Sequence, residues 1–309
     1  MIPFDGQFAQ NYVYPFAFGA YNAEDAPPGY AKNTNAFEIL ADLSPAFQAR
    51  LTAMDPRHRK PYDAMLAHPR RPRITDASKA TSAAVQAMPR SPQPNQHFGW
   101  ICLDSANNRL IVSFRGTEYF RDWLDDFDFA PAPYSPIPGR GTVHQGFLIV
   151  YEAVRESVRA TLSTLIACKA AGLKEILITG HSLGGALCAL SALDILNDLA
   201  GNLAPIVYTW AEPRVGHPDF VHFFDTRVNI CYRMVNLWDV VPHLPPVLAL
   251  YEHEGSSLHI DSGFTLDIVH NHVLVTGYAP GIAKWNQDHP AKLTRLGVAP
   301  QFPLVGKSA

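Results

Sequence analysis

Ile176-Leu177-Ile178-Thr179-Gly180-His181-Ser182-Leu183-Gly184-Gly185-Ala186-Leu187 decides how the rest of this chain is read. A short apolar run stops at Gly180, a serine follows, and after two more glycines an apolar helical pattern begins. Gly180 to Gly184 fits G-x-S-x-G, the nucleophile-elbow pattern in which a strand turns sharply into a helix. Ser182 stands at the apex and is expected in a strained backbone conformation. Side chains at 180 and 184 would collide with neighbouring elements, so both positions are glycine. The turn presents Ser182 at a helix N-terminus, where unpaired N–H groups favour negative charge.

Working outward, strands and helices alternate. Residues 99–103 and 109–114 read as two strands joined by a turn at 104–108. Residues 118–127 read as a short amphipathic helix with Phe120, Trp123, Leu124 and Phe127 on one side. Prolines at 131, 133, 136 and 138 stiffen the loop that follows. A long helix starts near 143–147, with Phe147, Tyr151, Val154, Val158, Leu162 and Leu165 on its apolar face. The elbow strand is 175–179. Downstream come a strand at 206–210, a short helix at 217–224, a strand at 228–237, a last short strand at 257–261 and a helix at 269–283. Upstream, 1–35 is aromatic and expected to wrap the core as irregular structure with a short helix. Residues 36–54 carry helical spacing through Phe37, Leu40, Leu43, Phe47 and Leu51. Arg57, Arg59, Lys60, Arg70, Arg71 and Arg73 lie among prolines in 55–97, which reads as a solvated surface excursion. The alternation predicts an α/β class chain, its mainly parallel sheet covered by helices on both faces and its chemistry at the carboxyl ends of the strands. One domain is expected, with 1–98 as a wrapping segment, 99–285 as the catalytic core and 286–309 as a tail.

Composition excludes several classes. The chain has 309 residues, is 47% apolar and carries a net charge of −3, so it lacks the basic balance of a nucleic-acid binder. No apolar run reaches the length of a membrane span. The residues 1–5 have neither the basic nor the apolar region of a secretory signal, so none is expected in this chain. Cys102, Cys188 and Cys231 fall within apolar patterns and Cys168 late in a helix; buried free thiols are expected, and no spacing suggests zinc.

A serine hydroxyl is a weak nucleophile without a base, and the base needs an orienting carboxylate. On this elbow the chain order is Ser, then Asp or Glu, then His. Asp239 follows an apolar strand directly and precedes a proline-rich loop; Asp225 and Asp261 are weaker alternatives. The late histidines are 243, 253, 259, 270, 272 and 289. A position on a loop just before the final helix leaves His270 and His272, and His272 directly precedes Val273-Leu274-Val275.

Together, Phe114-Arg115-Gly116-Thr117, Val143-His144-Gln145-Gly146-Phe147, the elbow, Pro213-Arg214-Val215-Gly216 and Asp239-Val240-Val241-Pro242 resemble the class 3 lipases, the fungal-type triacylglycerol lipases of the α/β-hydrolase fold. The resemblance covers about residues 99–285. It implies Ser182 as nucleophile, Asp239 as triad acid and His272 as base, with His270 as alternative because Asn271 stands where the family usually has Asp. It implies an oxyanion hole from Thr117 and the N–H of Leu183, and a lid over about 118–130 that covers an acyl pocket in water and meets lipid when open. The expected reaction is ester hydrolysis through an acyl-enzyme, on acylglycerols, by a secreted monomer that touches a lipid–water interface and uses neither cofactor nor metal. Alternatives are another ester class, as in feruloyl esterases and phospholipases, or a non-catalytic binding protein. His144 is expected to hold a helix start, His181 to pack beside the serine, and Arg214 to anchor an ion pair.

Overall fold

The structure is a computed structural model that describes residues 4–19, 37–42, 99–104, 107–116, 129–169 and 172–289. Nine strands form within these residues: β1 (Phe37–Asp42), β2 (Gly99–Asp104), β3 (Arg109–Phe114), β4 (Pro131–Pro133), β5 (Thr142–His144), β6 (Glu175–His181), β7 (Ala204–Trp210), β8 (Ile230–Asn236) and β9 (Ser256–Ile260). The helices are α1 (6–19), α2 (Gln145–Lys169), α3 (Leu183–Asp198), α4 (Pro218–Arg227), α5 (Ile268–His272) and α6 (Ala279–Asp288).

Seven strands form one sheet in the order β1-β2-β3-β6-β7-β8-β9, while β4 and β5 make a separate ribbon. β1, β2 and β3 pair antiparallel, and from β3 onward every pairing is parallel. This is the α/β-hydrolase arrangement, and it follows from the sequence pattern. β2, β3 and β8 are buried along their whole length, as strands covered on both faces must be. Alternate residues then serve opposite cores. Ile176 and Ile178 of β6 face a cluster with α2, α3 and α4. Leu177 faces the other, with α1 and α6.

The N-terminal helix is one continuous piece, with Ala9–Val13 wound as a π turn between Gly6–Phe8 and Tyr14–Gly19. Asp5 caps it by accepting from the Phe8 N–H at 3.0 Å. Phe8, Tyr12 and Phe16 are buried against the sheet. The Arg109 guanidinium lies 5.1 Å and 4.7 Å from the Phe8 and Tyr12 ring centres. On the opposite face, the fully buried Asp194 of α3 accepts from Tyr151 at 2.8 Å and from Arg155 and Arg159 of α2. A buried carboxylate is tolerated there because it is saturated with donors.

Two expectations are corrected. The helical spacing at 36–54 does not give a helix at its start: Phe37–Asp42 is β1, paired with β2 and slipping register between Ile39 and Ala41. The open edge of β2 offers backbone partners that override a local period of three to four. Residues 43–54 lie outside the described residues, as do the basic stretch 55–97 and the tail beyond 289. The helix foreseen at 269–283 is broken. Val273 is extended, with φ −66° and ψ 138°, and separates α5 from a π turn, Leu274–Tyr278, that leads into α6. Pro280 has no N–H to donate, so an unbroken helix could not run through it; it sits instead in the first turn of α6. Among the described residues, no helix is long and apolar enough to cross a membrane. Cys102, Cys188 and Cys231 are free and buried.

Candidate active site

The site forms where β6 turns into α3. Ser182 has φ 57° and ψ −125°, a region a non-glycine residue enters only when its surroundings hold it there. Here the holding is backbone contact. A Cβ on Gly180 would lie 2.4 Å from the Gly184 carbonyl oxygen, and one on Gly184 would lie 2.3 Å from the Phe114 carbonyl oxygen. Elbow, helix and β3 are therefore packed main chain to main chain. The Ser182 N–H donates to the Trp210 carbonyl at 2.8 Å, which ties the apex to β7.

Asp239 reaches the serine's neighbourhood because β8 ends at Asn236 and turns back, with the Asp239 N–H on the Asn236 carbonyl at 3.0 Å. Its Oδ1 accepts from the Val241 N–H at 3.0 Å. Its Oδ2 accepts from His272 Nδ1 at 2.9 Å and from the Tyr278 hydroxyl at 2.7 Å. His272 Nε2 faces Ser182 Oγ at 2.9 Å. The serine hydroxyl thus donates to the imidazole, and the imidazole donates to the carboxylate. Ser182, Asp239 and His272 are 0%, 1% and 2% exposed.

His270 is not part of this chain of contacts; its backbone carbonyl takes the Thr276 hydroxyl at 2.7 Å. His272 ends the short helix α5 rather than lying on a loop before a helix. Leu183 opens α3, where first-turn N–H groups have no intrahelical acceptor. Thr117, Phe120, Trp123, Leu124 and Phe127 lie outside the described residues. His181 lies beside His272, ring centres 4.7 Å apart, and its Nε2–H donates to the His272 carbonyl at 2.8 Å. Burial, and then the nearby His272, push the His181 imidazole well below its ordinary pKa, so the ring is neutral. His144 Nδ1 accepts from the Gly146 and Phe147 N–H groups at the start of α2. Among the described residues Arg214 forms no ion pair of the kind expected: its Nη1 donates to the carbonyls of His243 and, at 2.7 Å, Pro245, pinning the loop after Asp239. Among the described residues no group of three or more His, Cys, Asp or Glu is gathered to hold a metal ion. Sequence reasoning missed Tyr278, which carries no motif and reaches Asp239 from 39 residues away.

The sequence profile described as Lipase (class 3) matches residues 111–249. Over those residues the chain is similar to the class 3 lipase family. The matched region contains Ser182 and Asp239, whereas His272 and Tyr278 follow it. A Fusarium solani protein named secreted mono- and diacylglycerol lipase 1 is 33% identical, over 53% of this chain and 47% of its own. A Rhizomucor miehei lipase is 37% identical, over 52% and 44%. The chain therefore spans about half the length of the curated relatives it matches. In structure, a deletion mutant of the Rhizomucor miehei lipase propeptide complex superposes with a TM-score of 0.59 at 23% identity, covering 84% of this chain and 69% of that one, a likeness of fold.

Proposed function

We propose that this protein hydrolyses carboxylic esters through an acyl-enzyme on Ser182, with acylglycerols as its substrates. The observation that carries the proposal is the unbroken line from Ser182 Oγ to His272 Nε2 and from His272 Nδ1 to Asp239 Oδ2, each step 2.9 Å, at a strained elbow. His272 takes the serine proton as Oγ attacks the ester carbonyl, and Asp239 stabilises the imidazolium. The N–H of Leu183, with Thr117, receives the oxyanion; losing one such donor raises the barrier by about 3 kcal/mol. His272 then returns the proton to the departing alcohol. A water gives its proton to His272 and its oxygen to the acyl carbon, releasing the acid and restoring Ser182.

The lipid preference rests on how apolar surface is distributed. Every exposed large hydrophobic among the described residues lies at 129, 237–250 or 264–268, on connections that leave the carboxyl ends of β3, β8 and β9, where the triad lies. Soluble surfaces scatter such residues; gathering them at one end suits a substrate held in an aggregate. The burial of Ser182 fits a cover that moves, the role proposed for 118–130. Secretion, in the name of the Fusarium relative, belongs to the same proposal.

Turnover of esters of rising chain length, from soluble p-nitrophenyl butyrate to emulsified triolein, tests this, with Ser182→Ala as the control. Activity confined to short soluble esters overturns the acylglycerol assignment. No hydrolysis of any ester, with no organophosphonate labelling of Ser182, overturns the enzyme assignment.

A further inference from the structure

We infer that His181, Asn236 and Thr276 act together as positioning residues for the base, each holding one of three successive backbone carbonyls that end at His272. The inference rests on the proposed ester hydrolysis and concerns how its base is kept in register.

His272 stands on a helix of only five residues. Isolated helices this short do not persist in water, so the position of its last residue must come from tertiary contacts. The N-terminal end of α5 is held by Asp267, whose Oδ1 accepts from the Val269 and His270 N–H groups at 2.9 Å and 3.2 Å. The C-terminal end is where helical carbonyls run out of partners. There the Thr276 hydroxyl donates to the His270 carbonyl at 2.7 Å, Asn236 Nδ2 to the Asn271 carbonyl at 2.8 Å, and His181 Nε2 to the His272 carbonyl at 2.8 Å. The chain also folds back on these carbonyls: a Cβ on Gly277 would lie 2.2 Å from the Asn271 oxygen.

The placement of the donors ties the carbonyls to the catalytic residues. His181 directly precedes Ser182, and Asn236 precedes Asp239 by one turn and accepts the Asp239 N–H on its own carbonyl at 3.0 Å. The nucleophile, the acid and the base are therefore linked through hydrogen bonds that do not involve the reacting atoms. Those links stay in place when the Ser182–His272 bond is broken during the reaction. The neutral His181 also adds no second positive charge beside His272 when the base takes its proton. Simple helix end-capping needs any donor at each carbonyl; here two of the three come from the segments that carry Ser182 and Asp239.

The test compares Thr276→Val and His181→Phe, which remove a donor at similar size, with Thr276→Ser and His181→Gln, which keep one. With p-nitrophenyl acetate, the first pair is expected to lower kcat by about 10- to 100-fold, the scale of a small misplacement, with KM within about twofold. The second pair is expected to recover to within about threefold of wild type. The His272 Nδ1 proton is read by NMR in the same proteins, without substrate. Its downfield resonance is expected to move or broaden in the first pair and to return in the second. A kcat per phosphonate-labelled Ser182 that stays at the wild-type value, with only the thermal midpoint falling, overturns the inference, as does an unshifted resonance. If no protein hydrolyses ester but the resonance responds as described, the positioning stands and the reaction assignment falls.

Discussion

Replacing Glu212 by glutamine should alter how stability depends on pH, and the structure sets both sign and scale. Glu212 and Glu254 are 1% and 0% exposed, against the first turn of α3; a Cβ on Gly185 would lie 3.0 Å from Glu212 Cβ. Thr209 donates to Glu212 Oε2 at 2.5 Å, and Arg233 Nε donates to the Glu254 carbonyl at 2.5 Å. Burial first, and then the facing Glu254, push the Glu212 carboxyl well above the usual range, with Arg233 pulling the other way. Glu254 is raised by burial too, with Asp225 adding to the rise, and Cys188 and Cys231 face the same two acids. An acid whose folded pKa is raised contributes its full stability below its unfolded value of about 4.3 and loses it as pH rises through the folded value. The loss is about 1.4 kcal/mol per pH unit for one proton, or about 2.7 kcal/mol between pH 5 and 7 if the acid stays protonated throughout. Glutamine keeps the oxygen that accepts from Thr209 and cannot ionise. Glu212→Gln should therefore gain on wild type by about 1.4 kcal/mol per pH unit above pH 5 until the folded acid ionises. Urea unfolding of both proteins at pH 5, 6, 7 and 8 measures the difference. His253 works in the opposite direction: burial lowers it to about 3, so its stability is present above its unfolded value of about 6.5 and is lost as pH falls. Both proteins carry His253, so it cancels in the comparison. A difference that does not change with pH refutes the reasoning, because the buried pair would then not hold an extra proton in the folded state.

Three further outcomes are expected. His272→Ala should lower kcat on p-nitrophenyl butyrate by about 10⁴-fold or more, whereas His270→Ala should stay within about tenfold of wild type; the reverse order identifies His270 as the base. Tyr278→Phe removes a donor to Asp239 Oδ2 and should lower kcat on p-nitrophenyl butyrate by about tenfold with KM within about twofold; an unchanged kcat argues against a role for the contact. Gly184→Ala must push a methyl into the Phe114 carbonyl and should lower stability by about 3 kcal/mol, read as the loss in a thermal or urea midpoint; a neutral substitution would contradict the close approach of α3 to β3.

The legible parts of this chain are those written in local order. The strands β2, β3, β6, β7 and β8 lie within a residue or two of their apolar runs, because a strand buried on both faces has to be apolar along its length. The elbow was legible for a similar reason: glycines where backbones touch and a serine at the turn are requirements of one short segment. β1 was not, because an edge strand forms through the partner offered by β2, and its own spacing favoured a helix. The break at Val273 depended on Pro280, seven residues on, and on the room Gly277 leaves for the Asn271 carbonyl.

The same division runs through the site. The sequence alone determined which residue types stand at the strand ends, Ser182 at an elbow and Asp239 after an apolar run, because those choices are imposed by neighbours along the chain. It left His270 and His272 side by side as candidates. On an α-helix two such positions point about 200° apart, so only one ring can face Asp239, and which one depends on how α5 is rotated against the sheet. That rotation is set by Tyr278, Asn236 and His181, the last of them 91 residues from the carbonyl it holds. Hydrogen bonds across such separations exist only once the sheet has assembled, which is why the tertiary structure, and not the order of residues, selects the histidine that meets Ser182.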